Sequence, residues 1–157
     1  MTQSAGPDIL FFPPLLSLVV PAAAIAAEWV VPLGLLPAAG SGWSIASGLV
    51  LILGAGALAA GGTRAFRQAG THIDPRQSAL HLVQDGPYRI IRNPMYLGMV
   101  ILQLGLGLVF SLDWAVLGAV ILWACLHWGV VLREEAYLSH KFGAPYDEYL
   151  TQTRRWL

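Results

Sequence analysis

The chain has 157 residues, of which 56% are hydrophobic and only 11% charged, and its mean hydropathy is +0.61. Soluble domains carry about a quarter charged residues, so nine basic and nine acidic side chains cannot coat a globule of this size and much of the surface must face lipid. The net charge of zero argues against a strongly basic nucleic-acid binder, and the single cysteine, Cys125, excludes an internal disulfide framework or a cysteine-cluster metal site.

A helix that crosses the hydrocarbon core needs about 20 mostly apolar residues, and four stretches meet this. The first, 9–31, contains Pro13, Pro14 and Pro21 and ends near Glu28; its double proline predicts an irregular or kinked start. Asp8 precedes it without a Lys or Arg, and apolar sequence continues beyond its small residues, unlike a cleavable leader. The second, 43–60, is uncharged, and its small residues Gly54 to Ala59 suit close helix packing better than a dinucleotide fingerprint, since no strand precedes them. The third, 95–112, and fourth, 114–132, are separated only by a turn at Ser111 and Asp113 and so form an antiparallel hairpin. The expected fold is an all-α, multi-pass transmembrane bundle of four spans, or five if the C-terminal part re-enters the bilayer. It forms one domain over 1–157, with two N-terminal spans in 1–62 and the motif-bearing region in 63–157.

All nine Lys and Arg residues fall between spans two and three or after span four, whereas Glu28 and Asp113 lie at the opposite end. By the positive-inside rule the Arg-rich face and both termini are cytoplasmic, and Trp29, Trp43 and Trp114 mark the outer interface. The polar residues are thus gathered into a connection over 61–94 and a tail over 133–157, both on one face. Connections of that length are commonly functional.

Within the connection, Gly86-Pro87 reads as a turn, and Asn93-Pro94 as a helix start with Asn at the cap and Pro first. The start of span three therefore offers free backbone N–H groups to a polar or anionic ligand, with Tyr88 and Tyr96 as aromatic walls; lipid anchoring is the alternative. Glu134 and Glu135 follow the fourth span, where carboxylates are costly unless solvated, paired or holding a ligand. Adjacent helical residues point about 100° apart, so one of the two faces inward. Arg92 is the natural partner of Glu134 across the hairpin, and His127, seven residues earlier, shares its face. Phe142-Gly143 predicts a turn, and Tyr146, Tyr149, Arg154, Arg155 and Trp156 an amphipathic helix at the interface or over a pocket. The four histidines lack metal-ligand spacing, so no metal site is expected.

The run from Gly70-Thr71 through Arg92-Asn93-Pro94-Met95-Tyr96-Leu97-Gly98, followed by Glu134-Glu135, Phe142-Gly143 and Tyr146-x-x-Tyr149, resembles the isoprenylcysteine carboxyl methyltransferase and phospholipid methyltransferase superfamily. The resemblance implies an integral membrane enzyme, of the kind found in the bacterial inner membrane, that uses S-adenosyl-L-methionine in a cytoplasmic pocket built by its C-terminal half. It implies a lipophilic or small methyl acceptor and the lipid bilayer as surroundings. Cofactor contacts are implied at Leu80, His81, Leu82, Val83, Gly86, Tyr88, Arg92, Asn93, Pro94, Met95, Tyr96 and Glu135. Glu134, with Arg133 beside it, falls where the prenylcysteine enzymes place an acidic residue at the acceptor side, whereas in the phospholipid branch the paired glutamates are associated with the cofactor. Two family histidines are replaced, by Asn93 and by Leu80, and the prenylcysteine enzymes' arginine one turn before the first glutamate is Val130. Sterol-reductase-type enzymes, which use NADPH, look similar around the Arg-x-Pro-x-Tyr segment but are longer. A non-catalytic membrane scaffold is the third reading.

Overall fold

A computed structural model describes residues 6–37 and 39–157; the first five residues of the N-terminal half lie outside it. Its helices are α1 (Pro13–Val30), α2 (Gly42–Ala69), α3 (Pro94–Phe110), α4 (Asp113–Leu126), α5 (Leu132–Phe142) and α6 (Ala144–Gln152), with a short 3-10 turn at Gly86–Arg89. A π-helical stretch, His127–Val131, joins α4 to α5 without a break, so 113–142 is one continuous helical rod. Among the described residues, three helices are long and apolar enough to cross a membrane: α1, α2 and the 113–142 rod. The 17-residue α3 is about 25 Å long, at the lower limit for spanning. The chain is an all-α membrane bundle.

The double proline does not disrupt the first helix; Pro13 and Pro14 begin it, where the missing N–H groups would be unpaired in any case. The second helix runs nine residues past its expected end at 60, because nothing between Gly61 and Ala69 breaks a helix. Arg64 and Arg67 are therefore on its last turns, and the connection begins at Gly70, whose φ of 64° closes the helix. Ser111, at φ 54°, reverses the chain into α4 as the hairpin requires.

Small residues spaced by seven let α2 and α3 meet closely. A Cβ on Gly105 would lie 2.8 Å from the Gly48 carbonyl oxygen, one on Gly98 would lie 3.2 Å from that of Ala55, and one on Gly62 would lie 2.5 Å from Met95 Cγ. Gly54 and Gly56, in the small-residue run expected to pack, instead face open space. Of that run the seam uses Ala55 and Leu58, both of which a Cβ on Gly98 would meet. Behind it, Val100, Ala119, Leu122, Leu126 and Val130 form the core, which Leu16 and Val20 of α1 cover.

The two acids at the Arg-poor end serve the start of α4. Asp113 is buried and accepts hydrogen bonds from Leu35 N (3.0 Å) and Leu36 N (2.7 Å). Glu28 accepts from Trp114 N at 3.1 Å, and Trp114 Nε1 donates to the Val31 carbonyl at 2.7 Å. Negative charge at a helix N-terminus is favourable, and these bonds tie the 31–41 connection to the hairpin.

Candidate functional site

At the opposite end, a cavity of about 370 Å³ opens between the 70–93 connection, α3, α5 and α6, and residues 7–14 form a further wall. Its largest polar feature comes from the facing ends of the hairpin. Tyr96, in the first turn of α3, donates its hydroxyl to Glu134 Oε1 at 2.8 Å. Glu134 Oε2 has no hydrogen-bond partner among the described residues, so one carboxylate oxygen is held while the other is free to act.

Glu135 is engaged differently. It accepts from Arg92 Nε (3.1 Å) and from Arg155 Nη2 (2.8 Å) and Nε (3.0 and 3.1 Å to its two oxygens). The Arg92–Glu134 pairing expected across the hairpin is thus an Arg92–Glu135 pairing. The carboxylate raises the affinity of the Arg155 guanidinium for its proton. Arg92 Nη1 also donates to the carbonyls of Leu150 and Thr153. The tail is laced to the start of α3 by Arg92 N to the Arg154 carbonyl (2.8 Å) and Arg154 N to the Ile90 carbonyl (3.0 Å). Asn93 does not cap α3 with its side chain; its Nδ2 donates to the Arg155 carbonyl at 3.0 Å. The C-terminal segment is therefore clasped to the site as a wall. It does not lie apart on the interface.

Tyr146 and Tyr149 point inward from α6 and are buried. Tyr149 donates to the Tyr88 carbonyl at 2.7 Å, which fixes the 3-10 turn against α6. Burial pushes the Tyr149 phenol up to about 12, and it raises Tyr88 and Tyr146 too, with Glu134 and Glu135 respectively adding to the effect. At the rim, Tyr137 Oη accepts from Lys141 Nζ (3.0 Å) and from Ala79 N (3.3 Å), joining α5 to the connection. Asp74 accepts from Arg76 Nε and Nη2 at 3.0 and 2.8 Å, which holds its carboxyl below the usual range. The Arg76 guanidinium in turn lies 4.0 Å over the Phe12 ring.

The π-helical stretch explains why His127 is absent from the cavity although seven residues separate it from Glu134. In a continuous α-helix that spacing would align the two, but the extra residue of a π turn rotates the downstream side chains by about 100°. His127 instead stacks on Trp123 at 5.2 Å and accepts from Trp156 Nε1 at 3.1 Å. The Gly129 carbonyl accepts from Leu10 N at 2.9 Å. Phe11 packs where a Cβ on Gly129 would come within 2.4 Å of its ring.

Of the expected site residues, His81, Leu82, Val83, Tyr88, Arg92, Asn93, Met95, Tyr96, Glu134 and Glu135 line the cavity. Leu80, Gly86 and Pro94 do not: Leu80 is exposed, with its N–H on Thr71 Oγ1 at 2.9 Å, and Gly86 and Pro94 shape the backbone. Arg133 also lies outside, because its guanidinium donates to the Asp8 carbonyl at 3.0 Å and pairs with the Asp8 carboxylate at 3.6 Å. Unforeseen lining residues include Met99, Tyr137, Leu138, Phe66, the 72–79 stretch of the connection and the 7–14 wall. The first three stand three or four helical positions from Tyr96 or Glu134, a spacing that puts side chains on one face.

A family model described as phospholipid methyltransferase matches residues 43–145. An uncharacterized protein of Haemophilus influenzae is 36% identical over 63 residues, a stretch covering 40% of this chain and 100% of that protein. The matched family span holds every cavity residue from Phe66 to Leu138, whereas residues 7–14, Tyr146 and Tyr149 lie outside it.

Proposed function

The chain belongs to the phospholipid methyltransferase family, and from that premise we propose that it is an S-adenosyl-L-methionine-dependent membrane methyltransferase acting on an acceptor with a lipophilic body. The observation that carries this is the free Glu134 oxygen inside a cavity between a polar connection and a lipid-facing bundle. The residues fit the cofactor. A carboxylate and tyrosine rings suit a sulfonium, the apolar faces of Leu82, Val83 and Met95 suit a purine, and the start of α3 suits an amino-acid carboxylate. When bound, it supplies a methyl group from a cationic sulfur that leaves as a neutral thioether.

The protein's own part is orientation and proton handling. Tyr96 fixes one oxygen of Glu134, and the other takes the proton of an acceptor amine or thiol as that atom's lone pair forms the new bond to carbon. The apolar walls exclude water and hold the two reactants in line. Glu135, Arg92 and Arg155 position the wall of α3 and the tail. The nine basic residues gathered at this end support a cytoplasmic position for the cavity and both termini.

Calorimetric titration of the detergent-purified protein with S-adenosylhomocysteine, beside NADPH, tests the reading. Saturable binding of the first alone is expected. In Glu134→Gln that binding should persist while methyl transfer falls about 100-fold or more. An unchanged rate in Glu134→Gln would remove its role as base. NADPH binding alone would make the protein a reductase, and binding of neither by folded protein would make it a scaffold.

A further inference from the structure

The lining residues of the 7–14 segment differ chemically from the rest of the cavity. Pro7, Pro13 and Pro14 have no N–H, and Phe12 brings an aromatic ring. The wall's carbonyls are also engaged. Pro7 O accepts from Ile9 N at 3.0 Å, Phe12 O accepts from Leu15 N and Leu16 N at 3.0 and 3.1 Å, and Pro13 O accepts from Ser17 Oγ at 2.8 Å. These lining residues therefore present mainly hydrocarbon to a cavity whose other lining includes Glu134, Tyr96 and Asn93. A nucleoside or amino-acid moiety would lose hydrogen bonds to water against them without replacement, whereas an apolar body would not.

The wall is fixed on both sides. Arg76, held by Asp74, covers the Phe12 ring. Leu10 N bonds the Gly129 carbonyl of the π turn, and Arg133 holds Asp8. The wall also borders lipid, since Phe11, Leu15 and Leu18 are exposed on the neighbouring surface. Finally, it lies outside the family-matched span.

We propose that residues 7–14 are the acceptor-side wall of the cavity and that Phe12 is the specificity-determining residue, limiting the bulk of an acceptor whose hydrocarbon body reaches the site from the bilayer. This rests on the methyltransferase reading. Phe12 selects by rigid shape, and the cofactor binds without it.

The test uses the full chain in lipid nanodiscs, with Phe12→Ala and Phe12→Trp beside wild type. One arm measures S-adenosylhomocysteine affinity by calorimetry. The other measures transfer of tritiated methyl to saturated and branched fatty amines, alkanethiols and fatty acids of graded length. Affinity should stay within about threefold of wild type. The ranking of acceptors by kcat/KM should move toward bulkier members in Phe12→Ala and slimmer ones in Phe12→Trp, by about tenfold or more between neighbours. A ranking unchanged in both variants would overturn the proposal, as would an affinity loss beyond about tenfold in both, which would put Phe12 in the cofactor's site. Wild type that binds S-adenosylhomocysteine but methylates no member would overturn the acceptor class. Wild type that does not bind it would bring down the methyltransferase reading itself.

Discussion

Replacing Glu135 with alanine removes the carboxylate on which two guanidiniums converge. Glu135 and Arg92 are nearly buried, with 12% and 10% of their side chains exposed, whereas Arg155 is 38% exposed. Breaking a buried pair by deleting one partner costs about 3–5 kcal/mol, because the other charge is stranded, while a largely exposed pair is worth about 0.2–1 kcal/mol. Arg92 keeps its bonds to the Leu150 and Thr153 carbonyls, which places Glu135→Ala at the lower end, about 3 kcal/mol. Arg155→Ala should cost about 1 kcal/mol, since the Arg155 carbonyl still accepts from Asn93. At about 2–4 °C per kcal/mol for a chain of this length, Tm should fall by ~6–12 °C in the first variant and ~2–4 °C in the second. Thermal unfolding of the detergent-solubilised protein, followed by tryptophan fluorescence, reads both, because Trp156 lies in the clasped tail. A double variant close to Glu135→Ala alone would show that Arg155 acts through Glu135. Glu135→Ala within about 2 °C of wild type, with only cofactor affinity lost, would refute the reasoning and make Glu135 a ligand of the cofactor.

Gly105→Val should lower stability by about 1–3 kcal/mol through overpacking, since its Cβ would meet Gly48 O and Ile52 Cγ1 at 2.8 Å. Gly54→Ala, facing open space, should leave Tm unchanged or slightly higher; equal losses in the two would refute the α2–α3 seam. The buried tyrosines predict a one-sided pH dependence. Phenol pKa values raised above the unfolded value of about 10 stabilise the fold fully below that pH. This stabilisation is lost as pH rises through the folded values, about 12 for Tyr149 and raised for Tyr88 and Tyr146. Tm should accordingly fall steeply above about pH 10, and in Tyr149→Phe that alkaline fall should be shallower; a profile unchanged by the substitution would refute the assignment.

The features legible in the sequence were those set by local chemistry. Apolar runs marked the spans, Ser111 with Asp113 marked the hairpin, and Asn93-Pro94 and the paired glutamates marked the cavity's polar wall. Three things were not legible, each for a reason of distance or phase. The extension of α2 to Ala69 was hidden because arginines there end the hydropathy signal without ending the helix. The exchange of partners between Glu134 and Glu135 depends on a π turn that composition does not announce. The 7–14 wall depends on contacts more than a hundred residues away in the chain, as between Leu10 and Gly129.

That π turn sets the angular phase of everything beyond it. Deleting any one residue from His127–Val131 would leave a rod of nearly the same length and apolarity, still able to cross the bilayer. The residues past the deletion would also keep their facing, because a regular helix one residue shorter turns through the same angle as the π turn it replaces, so Glu134 would stay at Tyr96 and Glu135 at Arg92. Straightening the turn with every residue kept is what would swing both glutamates by about 100°; among relatives, then, a single-residue gap between Trp123 and Glu134 is compatible with the same site, provided that the gap and the π turn disappear together.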